Sequence, residues 1–308
     1  MTTVSVVIET DSVHSYNDIT LADCLAALSR QTYPRELIEV VAVDCGKVPG
    51  LERLVTDLFP RALVLTLPGG SKFEQKNLGM KAATGEIVAF VDGDCAPPAD
   101  WLATVVEELS AAPPDVAGVQ GITQLSDGFL SRELSALFYG PRRDLRGHRA
   151  SRLVTDNCAF RRDVLRHFTF EHPHFSTVVD TLFLRRLERA GYRVLVSERL
   201  RMAHSFPGLT RDGVRWFFGR AFGVGYYMVK ARQIEPDLRG SALVRAGGLG
   251  WPLLALGKAV VDVRQVWENR DRVEARFLAA LPATAVYELT LFVGGVAALL
   301  RMPPPRWS

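Results

Sequence analysis

The sequence predicts an α/β protein: a doubly wound, mostly parallel sheet followed by a C-terminal helical, membrane-prone extension. Three observations carry this reading. Short apolar runs rich in β-branched residues alternate with helix-period segments through the first hundred residues, the pattern of crossover units that cover both faces of a parallel sheet. One of those runs, Ile87–Val91, empties abruptly into two carboxylates, Asp92 and Asp94, separated by Gly93. Charge at the carboxyl end of a buried strand lies where α/β sheets bind their ligands. Beyond residue 208 the composition turns basic-aromatic and then apolar.

Each element follows from its residues. Val4–Ile8 is an apolar β-branched run and reads as the first strand. Ile19–Ser29 has helical spacing, with Leu21, Cys24, Leu25 and Leu28 on one face and Gln31-Thr-Tyr-Pro34 closing it. Ile38–Val43 is the next strand and ends at Asp44. Leu51–Leu58 reads as a helix, Ala62–Leu67 as a strand, Gln75–Ala83 as a helix before Gly85, and 100–109 as the helix after the paired acids. In the middle, Val116–Gln124 and Asp156–Phe160 read as strands, with the Arg-rich 139–152 segment a loop between them. Arg162–His167 makes a helical turn. Asp180–Ala190 is a helix with Gly191 as its C-terminal stop, and Tyr192–Val196 returns as a strand.

Residues 211–232 interleave Trp216, Phe217, Phe218, Phe222, Tyr226 and Tyr227 with Arg211, Arg215, Arg220, Lys230 and Arg232, an amphipathic basic helix with aromatic anchors. Two apolar segments follow, 243–261 and 277–300. The first contains Arg245 and Lys258; the second contains only Glu288 and is loosened by Pro282 and Gly294-Gly295. A bilayer span needs about 20 apolar residues, a length the second segment reaches and the first approaches. The linker 262–276 carries four arginines and four acids, which fit poorly on the far side of a membrane. The expectation is therefore helices lying in, or dipping into, the cytoplasmic leaflet as a peripheral or monotopic attachment. A two-span anchor, or a buried helical pair of a cytosolic protein or oligomer interface, are the alternatives.

The 308 residues suffice for one large domain or two smaller ones, and 48% hydrophobic with 23% charged residues excludes overall disorder. A net charge of +3 is too small to imply nucleic acid. The basic residues Arg142, Arg143, Arg146, His148, Arg149 and Arg152 crowd one segment, which suits either an acidic or phosphate-bearing ligand or a solvated, flexible loop. Cys24, Cys45, Cys95 and Cys158 show neither metal-type spacing nor a disulfide framework and fit a reducing compartment. The N-terminus reads as a first strand rather than a signal peptide.

Hard divalent cations take oxygen ligands, and Mn²⁺ or Mg²⁺ commonly bridges one or two carboxylates to phosphates. Asp92 and Asp94 are suited to that, with Gly93 allowing close backbone approach; a solvated Asp-Gly turn is the bland alternative. Asp44 ends the second strand at the same sheet edge, where it could accept a hydrogen bond from a nucleobase or ribose. Glu9, Thr10 and Asp11 follow the first strand into the same crevice. Lys76 and Asn77 open a helix pointing at it, where they could meet phosphate or ribose. Singly, each also reads as a helix cap or solvated loop residue.

These residues resemble the family-2 glycosyltransferases, which have the GT-A fold. The resemblance rests on Val4-Ser-Val-Val-Ile8, on Val40-Val-Ala-Val-Asp44, and on Lys76-Asn-Leu-Gly-Met-Lys-Ala-Ala-Thr-Gly-Glu86 leading into Phe90-Val-Asp-Gly-Asp94. Asn157-Cys-Ala-Phe-Arg-Arg162 and the stretch from Val179-Asp180 to Tyr192 complete it, so it covers roughly residues 4–205. It implies a GT-A catalytic domain at 1–207, with a nucleotide-sugar half at 1–100 and an acceptor half at 101–207, followed by amphipathic and hydrophobic helices at 208–308. It further implies an inverting transfer from a nucleotide-diphosphate sugar, with a UDP-sugar the expected donor, to an acceptor sugar that is lipid-linked or small. Asp92 and Asp94 would hold the Mn²⁺ or Mg²⁺, His204 would complete its shell, and Asp180 would be the general base. His172 and His174, just before that helix, could line an acceptor pocket, though a solvated loop is the expected reading.

Three departures qualify the resemblance. Val179 stands where relatives often have a second acid beside the base, and Glu9 stands where many have proline. Arg215-Trp216 lacks the glutamine of the processive synthases' Gln-x-x-Arg-Trp motif, which implies one sugar per encounter. The alternatives are a nucleotidyltransferase of similar fold, whose Gly-rich phosphate loop is missing from Glu9-Thr-Asp-Ser-Val-His14, and a non-catalytic sugar-nucleotide-binding scaffold. Oligomerisation would run through the C-terminal helices.

Overall fold

The structure is a computed structural model that describes residues 1–140, 150, 152–173, 175, 177–238, 240–245 and 250–304. The chain forms two compact units. The first comprises Met1–Ser126, Pro141–His174 and Val179–Phe206, and the second Asp127–Gly140, Phe175–Val178 and Pro207–Ser308.

The first unit is built on one sheet. Its elements in chain order are β1 (Val4–Glu9), α1 (Leu21–Ser29), β2 (Ile38–Asp44), α2 (Leu51–Leu58), β3 (Leu63–Thr66), α3 (Lys72–Ala82) and β4 (Ile87–Asp92). They continue with β5 (Cys95–Ala96), α4 (Trp101–Ala111) and β6 (Val116–Leu125). After α5 (Ser131–Phe138), which belongs to the second unit, come β7 (Cys158–Arg161), α6 (Arg162–Leu165), α7 (Val179–Arg189) and β8 (Arg193–His204). The strand order is β3-β2-β1-β4-β7-β6-β8-β5. Pairs β1–β2, β1–β4, β2–β3 and β6–β8 are parallel, whereas β7 runs antiparallel to both β4 and β6, and β5 runs antiparallel to β8. The predicted doubly wound sheet is therefore mixed, with its parallel half at the N-terminal side.

Alternation sorts side chains onto the two faces. Val4, Val6 and Ile8 of β1 join Val40, Ala42, Ile87, Ala89 and Val91 in a core closed by Leu25 and Leu28 of α1, Val55 of α2 and Trp101 of α4. Each fully buried side chain of this size contributes about 1.5–3 kcal/mol. The opposite face receives α3. A Cβ at Gly79 would collide with Val7 Cγ1 and approach Val43 Cγ2 to 3.3 Å, so the helix can lie this close only with glycine there. Helix α3 starts at Lys72, earlier than the expected Gln75, because Ser71 and Glu74 form a capping box. Lys76 and Asn77 therefore sit in its second turn rather than at its opening. Strand β8 runs past the expected Val196 to His204, with Leu200, Met202 and His204 buried and their neighbours exposed.

The second unit is helical: α5, α8 (Arg211–Ile234), α9 (Ser241–Arg245), α10 (Gly250–Asn269) and α11 (Phe277–Leu299). Helix α8 packs on α11 through glycines. A Cβ at Gly225 would strike the Leu291 carbonyl, one at Gly294 the Phe222 carbonyl, and one at Gly295 the Trp251 ring. Gly294 and Gly295 thus tighten α11 instead of loosening it, and the helix runs unbroken through Pro282. The first half of the expected 262–276 linker is helix. Helix α10 continues to Asn269, with Gln265 Nε2 donating to the carbonyls of Leu137 (2.9 Å) and Gly140 (2.9 Å) at the end of α5. Among the described residues one helix, Phe277–Leu299, is long and apolar enough to cross a membrane by length and composition.

Candidate active site

The carboxyl ends of β1, β2 and β4 bring Glu9, Asp44 and Asp92 to one edge of the sheet, in register: Glu9 lies opposite Val43 on one side and Asp92 on the other. The two acids after β4 then part company. Asp92 turns into a cationic pocket, where Lys76 Nζ donates to its Oδ1 at 2.5 Å and Lys72 Nζ lies 3.5 Å from its Oδ2. Lys76 is fully buried and also donates to the Thr155 carbonyl at 3.1 Å. Burial would raise the Asp92 pKa, but the two ammoniums win and hold it well below the usual carboxylate range. Among the described residues no lysine pairs with Asp94, and burial pushes its carboxyl up to about 6 against the pull of His204.

His204 reaches Asp94 because β5 pairs with the end of β8, setting Cys95 opposite His204, and Ser205 N donates to the Asp94 carbonyl at 2.9 Å. The His204 Nδ1–H donates to the Ser205 carbonyl at 2.8 Å, and Nε2 faces Asp94 Oδ1 at 3.8 Å. Burial alone would lower the imidazole pKa, but the carboxylates of Asp94, Asp156 and Asp92 raise it. Asp94, Cys95 and His204 present donor atoms that all lie within 4.8 Å of one another. This fits a divalent cation. A histidine whose Nδ1–H is engaged by a backbone carbonyl offers its Nε2 lone pair in a fixed direction, and the carboxylate supplies the hard oxygen. Cys95 is the poorer donor, since burial holds its thiol protonated well above the ordinary range.

The segment after β1 closes over this edge. Thr10 N donates to Gln75 Oε1 at 2.9 Å and its hydroxyl to Asp44 Oδ1 at 3.1 Å, so Thr10 couples β1, β2 and α3. Asp11 pairs with Lys47 at 2.8 Å and accepts from Lys72 N at 3.3 Å, at the amino end of α3. Glu9 is fully buried. Its Oε2 accepts from Ser12 N at 3.1 Å, its Oε1 has no hydrogen-bond partner among the described residues, and burial together with Asp92 lifts its carboxyl to about 8. Gly93 is required by the chain itself: a Cβ there would meet the Glu9 carbonyl at 2.8 Å and Val13 Cγ2 at 2.7 Å. Asn77 turns away from the edge and exchanges two 2.9 Å bonds with the backbone of Phe170.

Asp180 is the second residue of α7, and its Oδ1 accepts from Thr181 N at 2.7 Å. The buried Cys158 thiol of β7 is pushed up by burial and by the charges of Asp156, Asp92 and Asp180, against Lys76, so these groups share one neighbourhood. Of the basic cluster, residues 142–149 lie outside the described residues; the Arg152 carbonyl accepts from Gln120 Nε2 at 3.0 Å. His174 also lies outside them, and His172 adopts a left-handed backbone (φ 52°).

Sequence reasoning missed four residues here. Lys72 was hidden by the late helix start. Asn17 Nδ2 donates to Asp94 Oδ2 at 3.3 Å, and the neighbouring Asp18 accepts from Ser126, Ser205 and Phe206 N, binding the β1 loop to the end of β8. The polar run Tyr16-Asn-Asp18 before the Thr20 capping box was the available signal. Asp156 is buried with an unpaired Oδ2, between Thr155, held by Lys76, and Asn157, whose Oδ1 accepts from Trp101 Nε1 at 2.9 Å.

A mixed sheet with paired acids at the end of a central strand, a histidine folded back on the second acid and a buried lysine behind the first defines a class that sequence comparison identifies. The family model for glycosyl transferase family 2 matches residues 13–169, half of the chain. The chain belongs to that family. A curated relative, the glycosyltransferase AglE of Haloferax volcanii, is 32% identical over 109 residues, which are 33% of this chain and 36% of the relative. The match thus spans little more than a third of that protein. Among solved structures, the mannosyltransferase PcManGT from Pyrobaculum calidifontis, in complex with GDP-Man and Mn²⁺, aligns over 94% of this chain and 87% of its own with TM-score 0.57 and 23% identity. GalNAc-T7 with UDP, GalNAc and Mn²⁺ aligns over 72% of this chain and 51% of its own with TM-score 0.52 and 14% identity. At these identities the likeness is one of fold, and it is the GT-A-like fold expected from the sequence.

Proposed function

We propose that this glycosyltransferase moves a sugar, with inversion, from a nucleotide-diphosphate donor to an acceptor hydroxyl, and that Asp180 takes the acceptor proton. The single observation that carries the proposal is the division of Asp92 from Asp94: one acid is neutralised by buried lysine, while the other faces His204 with donor atoms suited to a cation. Asp94 and His204 would hold Mn²⁺ or Mg²⁺, which when bound supplies Lewis-acid stabilisation of the departing diphosphate. Asp92 acts from behind, orienting Lys72, whose partly exposed ammonium is the cation best able to reach phosphate oxygens. Thr10 and Asp44, at the ends of β1 and β2, are suited to the nucleoside end of the donor. Asp180, the second residue of α7, is the carboxylate assigned to the acceptor proton.

The acceptor is lipid-linked or small, and one sugar is added per encounter. The nucleotidyltransferase alternative gains nothing from the β1 loop, which is anchored by Asp18 and offers no glycine-rich cradle. The experiment is a donor screen: nucleotide release and thermal shift recorded for UDP-, GDP- and dTDP-sugars with Mn²⁺. The expected result is one donor class that both shifts the melting temperature and releases nucleotide. Stabilisation by no donor, or transfer of a nucleotidyl group onto a sugar phosphate, would overturn the proposal.

A further inference from the structure

Helices α10 and α11 are inside out. From Gly250 to Val263 the exposed side chains of α10 are apolar, while the two charged residues of that stretch, Lys258 and Asp262, turn inward. Along α11 the exposed positions are likewise apolar, and its single charged residue, Glu288, also turns inward. The Lys258 ammonium binds the Asp262 carboxylate, lies 3.6 Å from Glu288 Oε1 and sits over the Tyr287 ring at 5.7 Å. Meanwhile Leu253, Leu256 and Val260 on α10 and Leu289 and Val293 on α11 are between 56% and 68% exposed. In water this arrangement is unfavourable twice over: charges withdrawn from solvent lose hydration, and aliphatic surface attracts whatever can cover it.

We infer that lipid hydrocarbon covers the aliphatic face of α10 and α11, and that the Lys258–Asp262–Glu288 cluster is the polar interior of a membrane-embedded helical unit. The occupant is argued from the chemistry of the face. It is aliphatic, without the tyrosine and arginine anchors of a protein–protein interface centre. Beneath it, α8 and α11 meet at backbone contact through Gly225 and Gly294, with Gly295 seating the Trp251 ring, the small-residue packing used by helices in a membrane, where the hydrophobic effect does not drive them together. The face also ends where a headgroup layer would begin. Trp267 is half exposed, with Arg270 stacked 3.7 Å from its ring, beside the exposed Arg264–Glu268 pair. The inference goes beyond the reaction proposed above and is independent of the sugar transferred.

The test uses the full chain reconstituted into phosphatidylcholine vesicles without donor, so that its outcome is separate from catalysis. Nitroxide labels are placed on single added cysteines at Leu256 and at Val293, with Arg53, which is nearly fully exposed, as control; the four native cysteines are buried. The inference expects oxygen to relax the labels at 256 and 293 several-fold more effectively than a water-soluble nickel chelate, with the reverse at 53. It also expects Leu256→Glu and Val293→Glu each to reduce vesicle flotation about tenfold or more, and Arg53→Ala to leave flotation unchanged. Nickel dominance at 256 and 293, close label–label coupling that reports a second copy over the face, or a native chain that stays soluble and monomeric without detergent would each overturn it.

Discussion

Lys76→Met separates two roles for a lysine that its sequence neighbours assign to the phosphates. In the structure Lys76 is fully buried and holds Asp92 at 2.5 Å and the Thr155 carbonyl at 3.1 Å. Methionine keeps most of the alkyl volume and removes the charge. Breaking one partner out of a buried ion pair costs about 3–5 kcal/mol because the other charge remains. Lys72, 3.5 Å from the other Asp92 oxygen, absorbs part of this, so about 3 kcal/mol is expected. For a unit of this size that corresponds to a fall in Tm of about 6–12 °C. The assay is thermal denaturation of the full chain followed by near-ultraviolet circular dichroism, with Asp92→Asn and the double variant alongside. The double variant is expected to lose clearly less than the sum of the singles, since each single strands the other's charge. A Tm within about 2 °C of the parent, or full additivity, would refute the reasoning and return Lys76 to a ligand-facing role.

Three further predictions concern the same edge. Mn²⁺ titration followed by electron paramagnetic resonance is expected to lose its tight site in Asp94→Ala and in His204→Ala. In the parent, affinity should rise with pH from about 6, where Asp94 sheds its proton, and on above the ordinary histidine range, since the raised His204 must also deprotonate to ligate; pH-independent binding would contradict it. The buried Glu9 carboxyl, raised from 4.5 to about 8, binds its proton more tightly folded than unfolded. Its contribution therefore favours the fold at low pH and is lost as pH rises from about 4.5 to 8. Glu9→Gln should flatten that part of the Tm–pH profile and raise Tm at pH 8; an unchanged slope counts against it. Gly79→Ala, which drives a methyl into Val7, is expected to cost about 1–3 kcal/mol by the same melting assay, and a neutral effect would show that α3 can shift away from the sheet.

What was legible in the sequence follows the range of the interactions involved. The first strands were readable because buried parallel strands are continuous apolar runs, and Val4–Ile8 and Ile38–Val43 are that. The start of α3 was readable in principle from Ser71 and Glu74, whose capping box sets it at Lys72. Strand β8 hid behind charges: Glu198, Arg199 and Arg201 look like loop, but their alternation with Leu200 and Met202 is the period of a half-buried strand. Strand β5, with two residues, carries no local signal; its partner lies about a hundred positions away, and with it lies the reason that His204 meets Asp94. The antiparallel direction of β7 is likewise a property of the sheet and not of Cys158–Arg161. In the second unit the charges at 262–276 suggested a solvated linker, whereas Gln265 and Asn269 point inward and Arg264 pairs with Glu268 at 2.6 Å along a continuing helix. Both acids of the Asp92-Gly-Asp94 motif were visible; their opposite electrostatic fates were not, since these depend on Lys76 and His204 arriving from different elements.

The central claim is a division of labour: the Asp94 and His204 side serves the leaving nucleotide, and Asp180 serves the acceptor. The most direct test measures single-turnover transfer and donor affinity together for Asp180→Asn, in parallel with Asp94→Ala. The account predicts that Asp180→Asn loses roughly 10²–10⁴-fold in transfer while its donor Kd stays within a few-fold of the parent, and that Asp94→Ala loses cation-dependent donor binding. Transfer by Asp180→Asn at the parent's rate, or loss of donor binding equal to that of Asp94→Ala, would contradict it.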